Sequence, residues 1–199
     1  GTNMHAIFIN SSAEILSDKS ARTSLAMNIA RKELLSQLHS TNIGLQLKPS
    51  LSWIPPSVWG TSEGKFMELA GTSLLAADSW YVAGGSDGST IELLYSEDDP
   101  IQVALAPLLE TFWETELPVD VVLRAERKEE YYADMVAGAY EIALGQWSQE
   151  YLDPYAWLEI FGSTSAENVF RFSDDEFDAL LAAAVDARSQ IERDKIFLL

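Results

Sequence analysis

The chain has 199 residues, of which 31 are acidic and 13 are basic, so its formal net charge is −18. Nucleic acids and anionic membranes repel such a surface, and we expect neither as a partner. The chain has no cysteine, which excludes disulfide bonds and thiolate zinc sites within it. Hydrophobic residues make up 47% of the chain, enough for a packed core, and no run of about 18 apolar residues predicts a membrane-spanning helix.

The first third of the chain predicts a strand, a helix and a long loop. Residues 6–9 are apolar and end at a turn signal, which is typical of a short strand. A helical pattern follows, which we interpret as one long helix that begins at Ser17 or Asp18 and ends near Ser40. Residues 40–65 are rich in proline and glycine, and we expect them to form a loop over the surface of a single domain.

From residue 66 onward, predicted helices and strands alternate. Asp99–Pro100 and Asp153–Pro154 are helix-start signals, because aspartate caps a first turn and proline is accepted at its first position. The alternation indicates the α/β class, with residues 1–199 in a single α/β lobe whose sheet is flanked by helices. The predicted elements are helices at 66–77 (interrupted near Gly71), 100–112, 129–136, 154–161, 173–185 and 190–199, and strands at 91–95, 119–123 and 140–144.

The stretch Gly145–Pro154 is the strongest candidate for a ligand site. It follows the predicted strand 140–144, and ligands of open α/β sheets bind beyond the C-terminal ends of strands. We therefore expect Trp147 and Glu150 to face a cleft. The indole offers a flat apolar wall with one N–H donor, and the carboxylate accepts charge-assisted hydrogen bonds from an ammonium group. The alternatives are a core role for Trp147 and a solvated loop charge at Glu150.

Several short motifs, taken in chain order, resemble the peptide/nickel-type extracytoplasmic solute-binding proteins of ABC importers. Glu150–Pro154 is similar to the family's D-Y-x-D-P motif, with glutamate in place of the first aspartate. Pro55–Gly60 is similar to P-P-x-x-x-G. The other matching segments are Ser17–Ala26 and Arg31 near the predicted first helix, Leu74–Leu75, Gly138–Glu141 followed by Trp147, and Arg193 in the last predicted helix.

The resemblance implies a periplasmic-binding-protein type II fold with a mixed sheet, in which two lobes close on a ligand by hinge motion. This chain then corresponds to the C-terminal lobe, truncated from the two-lobed protein. The expected partners are an oligopeptide ligand, the missing N-terminal lobe and the membrane permease of the importer. The expected location is extracytoplasmic, in the periplasm or at the cell surface, with lipid anchoring through the missing N-terminus as one arrangement. The same clamp with a metal chelate or a sugar as its ligand is the alternative.

The resemblance also implies roles for single residues. In peptide-binding members an acidic residue after the tryptophan holds the α-amine of the peptide, and that role falls on Glu150. Trp147 is then the wall of the site, and Gln146 and Ser148 donate hydrogen bonds from backbone or side chain. Tyr151 completes the predicted ligand-binding set, with packing as its alternative role. Asp153 is assigned to folding, as the cap of the next helix.

The residues around this stretch lack positive charge. No Lys or Arg occurs between Glu129 and Phe170, so no side chain there can pair with a ligand carboxylate. We therefore expect this lobe to bind the cationic end of its ligand, while the other lobe or backbone N–H groups bind any anionic end. The acidic residues of the segment are Glu129, Glu130, Asp134, Glu141, Glu150, Asp153, Glu159 and Glu167.

Features typical of enzymes are present but incomplete. Gly60–Gly64 matches G-x-S-x-G, yet two prolines and a loop precede it where a nucleophile elbow needs a strand. His5 and His39 are the only histidines, too few for a multi-histidine metal site. Glu150 and Asp153 form the pair that a glycoside hydrolase needs, which is the less favoured alternative. We expect no catalytic residue, no metal and no cofactor. A pure interaction module without a small ligand is a third class.

Overall fold

The structure, a computed structural model, describes residues 2–44, 46–50, 52–59, 73–149 and 151–197. Its strands are β1 (Thr2–Ile9), β2 (Ser89–Ser96), β3 (Val119–Glu126) and β4 (Ile142–Gln149). Its α-helices are α1 (Lys19–Met27), α2 (Arg31–Ser40), α3 (Pro56–Trp59), α4 (Ser73–Val82), α5 (Pro100–Glu116), α6 (Lys128–Ala137), α7 (Pro154–Leu158), α8 (Asp175–Asp186) and α9 (Gln190–Ile196). Short 3₁₀ helices lie at Ile15–Ser17 and Glu159–Phe161. None of the helices in these ranges has the length and apolarity needed to cross a membrane.

The four strands form one sheet in the order β1-β4-β2-β3. β2 is parallel to β3 along its whole length and parallel to β4 at Leu93 and Leu94. The N–H of Asn10 donates to the carbonyl of Glu141 at 2.9 Å, which places the end of β1 beside the start of β4, as in an antiparallel pair. The predicted α/β class, with a mixed sheet flanked by helices, is confirmed.

The chain divides into two compact units. The larger unit comprises His5–Pro49 and Leu69–Gly145, and the smaller unit comprises Gly1–Met4, Ser50–Glu68 and Gln146–Leu199. Both β1 and β4 contribute residues to each unit.

The core of the larger unit lies on one face of the sheet, beneath α1, α4 and α5. Two polar side chains inside it are satisfied: Trp113 Nε1 donates to the carbonyl of Leu25 at 3.1 Å, and Ser24 Oγ donates to the carbonyl of Ala76 at 2.7 Å. Alternate strand residues point into this core, as expected for period-two burial. They include Ile91, Leu93, Val119 and Val121.

Helix α6 covers the opposite face. Its Tyr131 hydroxyl donates to the carbonyl of Leu144 at 2.6 Å, and burial raises the pKa of Tyr131 to about 12. Leu94 and Ala143 of the central strands are fully buried. The sheet is therefore covered on both faces at Leu94 and Ala143, as is usual for parallel strands in α/β proteins.

Most predicted helix ends are confirmed. Asp18 caps α1, Asp99 caps α5 with Pro100 in its first turn, and Asp174 caps α8. Helix α6 ends at Gly138, whose φ of 72° is left-handed and favours glycine. The predicted helix at 66–77 corresponds in its described part to α4, whereas its interruption near Gly71 lies outside the described residues.

The prediction of one helix from Ser17 or Asp18 to Ser40 is wrong, because α1 and α2 are separate. Helix α1 ends at Asn28, whose side-chain amide donates back to the carbonyl of Ser24 at 3.5 Å. Asparagine side chains compete in this way with the backbone bonds of a helix. Helix α2 then begins after Ala30, without a side-chain cap.

The prediction that the strand at 140–144 ends at Gly145 is also wrong, because β4 continues to Gln149. A Cβ atom at Gly145 would lie 2.2 Å from Cε2 of Phe8. The glycine is needed for this close approach of the Phe8 ring and does not make a turn.

The core of the smaller unit is aromatic. The Trp53 ring lies edge-on to Trp157, Phe161 and Phe170, with centroids 6.1, 5.3 and 6.4 Å away. Trp53 Nε1 donates to the carbonyl of Trp157 at 2.6 Å, and Phe161 stacks on Phe170 at 4.7 Å. Edge-on and stacked rings are favourable beyond the area they bury. This cluster therefore stabilises α7 and the residues that follow it.

Asp153 joins α7 to α9. One carboxylate oxygen accepts from the Tyr155 N–H at 2.9 Å, and the other pairs with Arg193 Nη1 at 2.8 Å. The Arg193 guanidinium also lies 5.8 Å from the Tyr155 ring centroid and 5.3 Å from that of Phe197. The predicted folding role of Asp153 as a helix cap is confirmed.

We expect Gly145→Ala to destabilise the protein by about 1–3 kcal/mol, the usual cost of overpacking. The backbone of Gly145 is not left-handed, so the cost comes from the clash with Phe8 alone. Phe8→Leu removes the ring and should reduce that cost in the double variant. Denaturant unfolding measures all three variants. An equal cost of Gly145→Ala with and without the Phe8 ring would contradict this explanation.

We expect Asp153→Ala to lower stability by about 1–2 kcal/mol, because both the cap and the ion pair are lost. Asp153→Asn keeps the capping oxygen and removes only the ion pair with Arg193, so its cost should be less than half as large. Arg193→Gln, added to Asp153→Asn, should then cost only what the contacts of Arg193 with the Tyr155 and Phe197 rings contribute. Thermal unfolding checks that Asp153→Ala lowers stability more than Asp153→Asn does. Equal losses of stability in the two variants would refute the capping role.

Candidate functional site

The candidate site is built on the second half of β4. β2 ends three residues after Leu93, whereas β4 continues for seven residues after Ile142, the residue paired with Leu93. The last four residues of β4, Gln146–Gln149, therefore extend past the end of β2. This half-strand is the segment that the sequence predicted as a ligand-facing loop, and it is extended strand up to Gln149.

Trp147 is partly buried on this half-strand. Its indole Nε1 atom is inaccessible to solvent, and among the described residues it has no hydrogen-bond acceptor. A buried N–H without an acceptor destabilises the folded state, because its hydrogen bond to water is broken and no bond within the protein replaces it. Because water cannot reach Nε1, a bound molecule would satisfy this donor only after the groups that cover it move aside.

The other predicted site residues do not share one face with Trp147. Gln146 and Ser148 are exposed while Trp147 and Gln149 are partly buried, so the side chains alternate between two faces of the strand. Tyr151 is 71% exposed. Glu150, the predicted ammonium acceptor, lies outside the described residues. The structure thus brings together the backbone of Gln146–Ser148 and the Trp147 ring, and it separates the side chains of Gln146 and Ser148 from that ring.

Two side chains that the sequence did not single out fix the two ends of β4. Gln149 Nε2 donates to the carbonyl of Ala156 in α7 at 2.9 Å. Asn10 is buried, and its amide donates to the carbonyls of Gly138 and Tyr140 at 3.0 and 2.8 Å, just before the strand begins. Their acceptors are backbone carbonyls, which leave no signal in the sequence.

Each unit has an open depression among its described residues. The first, of about 630 Å³ in the larger unit, is lined by Asn10, Thr90, Glu92 and Glu141 among others. The second, of about 430 Å³ in the smaller unit, is lined by Tyr155, Glu159, Asp178 and Leu181 among others. Trp147 lines neither of them. Within the described ranges no group of three or more acidic or histidine side chains is arranged to hold a metal ion.

The described residues do not bring the enzyme-like features of the sequence together into a site. The G-x-S-x-G segment at 60–64 lies outside the described residues. Of the candidate carboxylate pair, Glu150 also lies outside them, and Asp153 is occupied by its helix cap and by Arg193.

Two known proteins that are similar to this chain are named as periplasmic binding proteins. The periplasmic murein peptide-binding protein MppA of Escherichia coli K12 is 24% identical over 176 residues, which is 84% of this chain and 31% of MppA. The probable deoxycholate-binding periplasmic protein YgiS of the same strain is 26% identical over 186 residues, which is 90% of this chain and 34% of YgiS. The chain thus spans about a third of the length of these curated relatives.

A solved structure shares the fold. The crystal structure of Haemophilus influenzae OppA in complex with the peptide RPPGFSPFR matches with a TM-score of 0.87 at 17% sequence identity, over 98% of this chain and 39% of the OppA chain. At this level of identity the likeness concerns the fold alone. It confirms the prediction of a periplasmic-binding-protein type II fold.

The family model for the middle region of bacterial extracellular solute-binding proteins, family 5, matches residues 1–168. The match includes β1 to β4 and the candidate site, and it confirms the resemblance that the sequence motifs indicated. The family consists of binding proteins and not of enzymes. The chain therefore belongs to the family 5 bacterial extracellular solute-binding proteins.

Proposed function

We propose that this chain is one lobe of an extracytoplasmic solute-binding protein that delivers oligopeptides to the permease of an ABC importer. The lobe binds one side of the peptide and carries out no chemical reaction. The rest of the protein supplies the second lobe, and the clamp gains most of its affinity when it encloses the ligand. The proposal rests on family membership together with the half-strand Gln146–Gln149.

The observation that carries the proposal is the indole N–H of Trp147, which has no hydrogen-bond acceptor among the described residues. Trp147 lies on the part of β4 that continues past the end of β2. A peptide can lie against this strand and pair with it through main-chain hydrogen bonds, as extended peptides do at open sheet edges. Its carbonyl groups offer acceptors for the Trp147 N–H. Gln146 and Ser148 then contribute backbone groups, because their side chains lie on the other face.

The charge around the site favours the amino end of a peptide. No Lys or Arg occurs between Glu129 and Phe170, while eight acidic residues do. Glu150 is the proposed acceptor of the peptide ammonium group, because it directly follows the half-strand that carries Trp147. A charge-assisted bond of this kind is about twice as strong as one between neutral groups.

The relatives support the ligand class in part. MppA is named for murein peptides, and OppA was crystallised with the peptide RPPGFSPFR. YgiS, in contrast, is named as a probable deoxycholate-binding protein, so a non-peptide solute is the second candidate. Deoxycholate is an anion. The acidic segment at 129–170 disfavours it here, since no basic side chain within the segment can pair with its carboxylate.

Removal of the ligand amine tests the proposed ammonium site. We expect the complete protein to bind pentapeptides with a free amino terminus at least about tenfold more tightly than the same peptides after N-acetylation, the effect of losing one hydrogen bond to a charged group. Glu150→Gln should abolish the preference by weakening only the free-amine peptides. Competition binding followed by mass spectrometry measures both ratios.

Two nearby acidic residues provide controls for that experiment. Glu159→Gln and Asp153→Asn remove the same charge from the same segment but should keep the preference. Equal binding of free and acetylated peptides by the unmodified protein would refute the ammonium site. Loss of the preference in the control variants would show that the ammonium group responds to the net negative charge of the segment and not to one specific carboxylate.

Removal of the indole N–H tests the proposed role of Trp147. Trp147→Phe keeps a flat apolar wall but removes the N–H donor, so we expect peptide affinity to fall about threefold to tenfold, as for one neutral hydrogen bond. The free energy of unfolding without ligand should fall only by the packing lost with the smaller ring, because Nε1 has no partner to lose. Calorimetry measures the change in peptide affinity, and denaturant unfolding measures the change in stability. Lower stability with unchanged affinity would make Trp147 a core residue only.

A further inference from the structure

The outer face of the sheet in the larger unit holds a cluster of four carboxylates around one guanidinium, here called the Arg124 cluster. The carboxylates belong to Glu92 on β2, Glu126 on β3, Asp134 on α6 and Glu141 before β4. Arg124 lies 3.1 Å from Glu92 (Nε to Oε1), 3.1 Å from Asp134 (Nη1 to Oδ2) and 3.6 Å from Glu126 (Nη1 to Oε1). Four negative charges therefore face one positive charge.

Hydrogen bonding within the Arg124 cluster is incomplete. Nε of Arg124 is buried, and although Glu92 is near, this N–H has no acceptor in hydrogen-bonding geometry among the described residues. Oε2 of Glu126 is likewise buried without a donor. The attraction at Arg124 is thus weaker than its short distances suggest, and the repulsion among the carboxylates is only partly offset.

The cluster fastens the residues that lead into β4. Arg124 Nη2 donates to the carbonyl of Ala139 at 2.6 Å. The carboxylate of Glu141 accepts the backbone N–H of Glu92 at 2.7 Å, which ties the residue before β4 to β2. Solvent reaches the cluster through the open depression that Glu92 and Glu141 line.

We propose that the Arg124 cluster takes up a proton as the pH falls, and that this uptake stabilises the start of β4. One added proton lowers the excess of negative charge while the bonds of Arg124 to Ala139 and of Glu141 to Glu92 remain. Glu92 is the proton-binding group, because it faces the other three carboxylates and the solvent-filled depression.

The direction of the effect follows from the surroundings of Glu92. Burial raises the pKa of its carboxyl, Arg124 lowers it, and Glu141, Glu126 and Asp134 raise it, with a net rise. A carboxyl whose pKa is higher in the folded protein than in the unfolded chain binds its proton more readily when folded. Its contribution to stability therefore grows as the pH falls through the raised pKa and is complete below the ordinary value.

Hydrogen exchange of the backbone amides at 139–145, measured by mass spectrometry on the complete protein between pH 7.5 and 5.0, tests the proposal. After correction for the intrinsic exchange rate, protection should rise as the pH falls, by at most about tenfold per pH unit for each proton bound. In Glu92→Gln, protection at pH 7.5 should exceed that of the unmodified protein, and the pH dependence should be lost.

A matched control and a second variant complete the test. Glu97→Gln removes an exposed carboxylate that pairs with Arg127 at 3.7 Å, outside the cluster, and should behave like the unmodified protein. Arg124→Gln leaves four carboxylates without a cation and removes the bond to Ala139, so protection should fall at pH 7.5 and recover only in part on acidification. Lower protection in Glu92→Gln at pH 7.5, or an unchanged pH dependence in that variant, would overturn the proposal.

Discussion

The contact between the Phe8 ring and the bare backbone of Gly145 is the constraint on which the candidate site depends. A side chain at position 145 would meet the ring at 2.2 Å, so only glycine lets β4 pass Phe8 as a regular strand. Because the strand continues, Gln146–Gln149 form an extended edge and not a flexible loop. The position of Trp147 is then set by strand geometry at one end and by the bond of Gln149 to Ala156 at the other.

The parts of the fold that follow from local chemistry could be predicted from the sequence. Asp99 and Asp153 before proline mark helix starts, and Gly138 marks a helix end, because each satisfies backbone groups within a few residues. The division of the first predicted helix at Asn28 was missed, since its apolar spacing continues across the break. Gly145 was mistaken for a strand end because its partner, Phe8, is 137 residues away in the chain.

The family was predicted from the sequence, whereas the residues of the candidate site stay a prediction. The motif around Trp147 and Glu150 pointed to the right family, and the absence of basic residues gave the expected charge of the ligand. The alternation of Gln146, Trp147 and Ser148 across the strand required knowledge that the segment is extended. The Arg124 cluster could not be predicted from the sequence, because its members come from β2, β3, α6 and the residue before β4 and lie between positions 92 and 141.

We propose that the complete protein binds peptides and that this lobe binds their amino end. Mass spectrometry of the ligand that co-purifies with the complete protein tests it most directly. We expect denaturation of the complete protein to release short peptides with unmodified amino termini in near-stoichiometric amount. Recovery of a bile acid, a sugar or a metal chelate in that amount would contradict it.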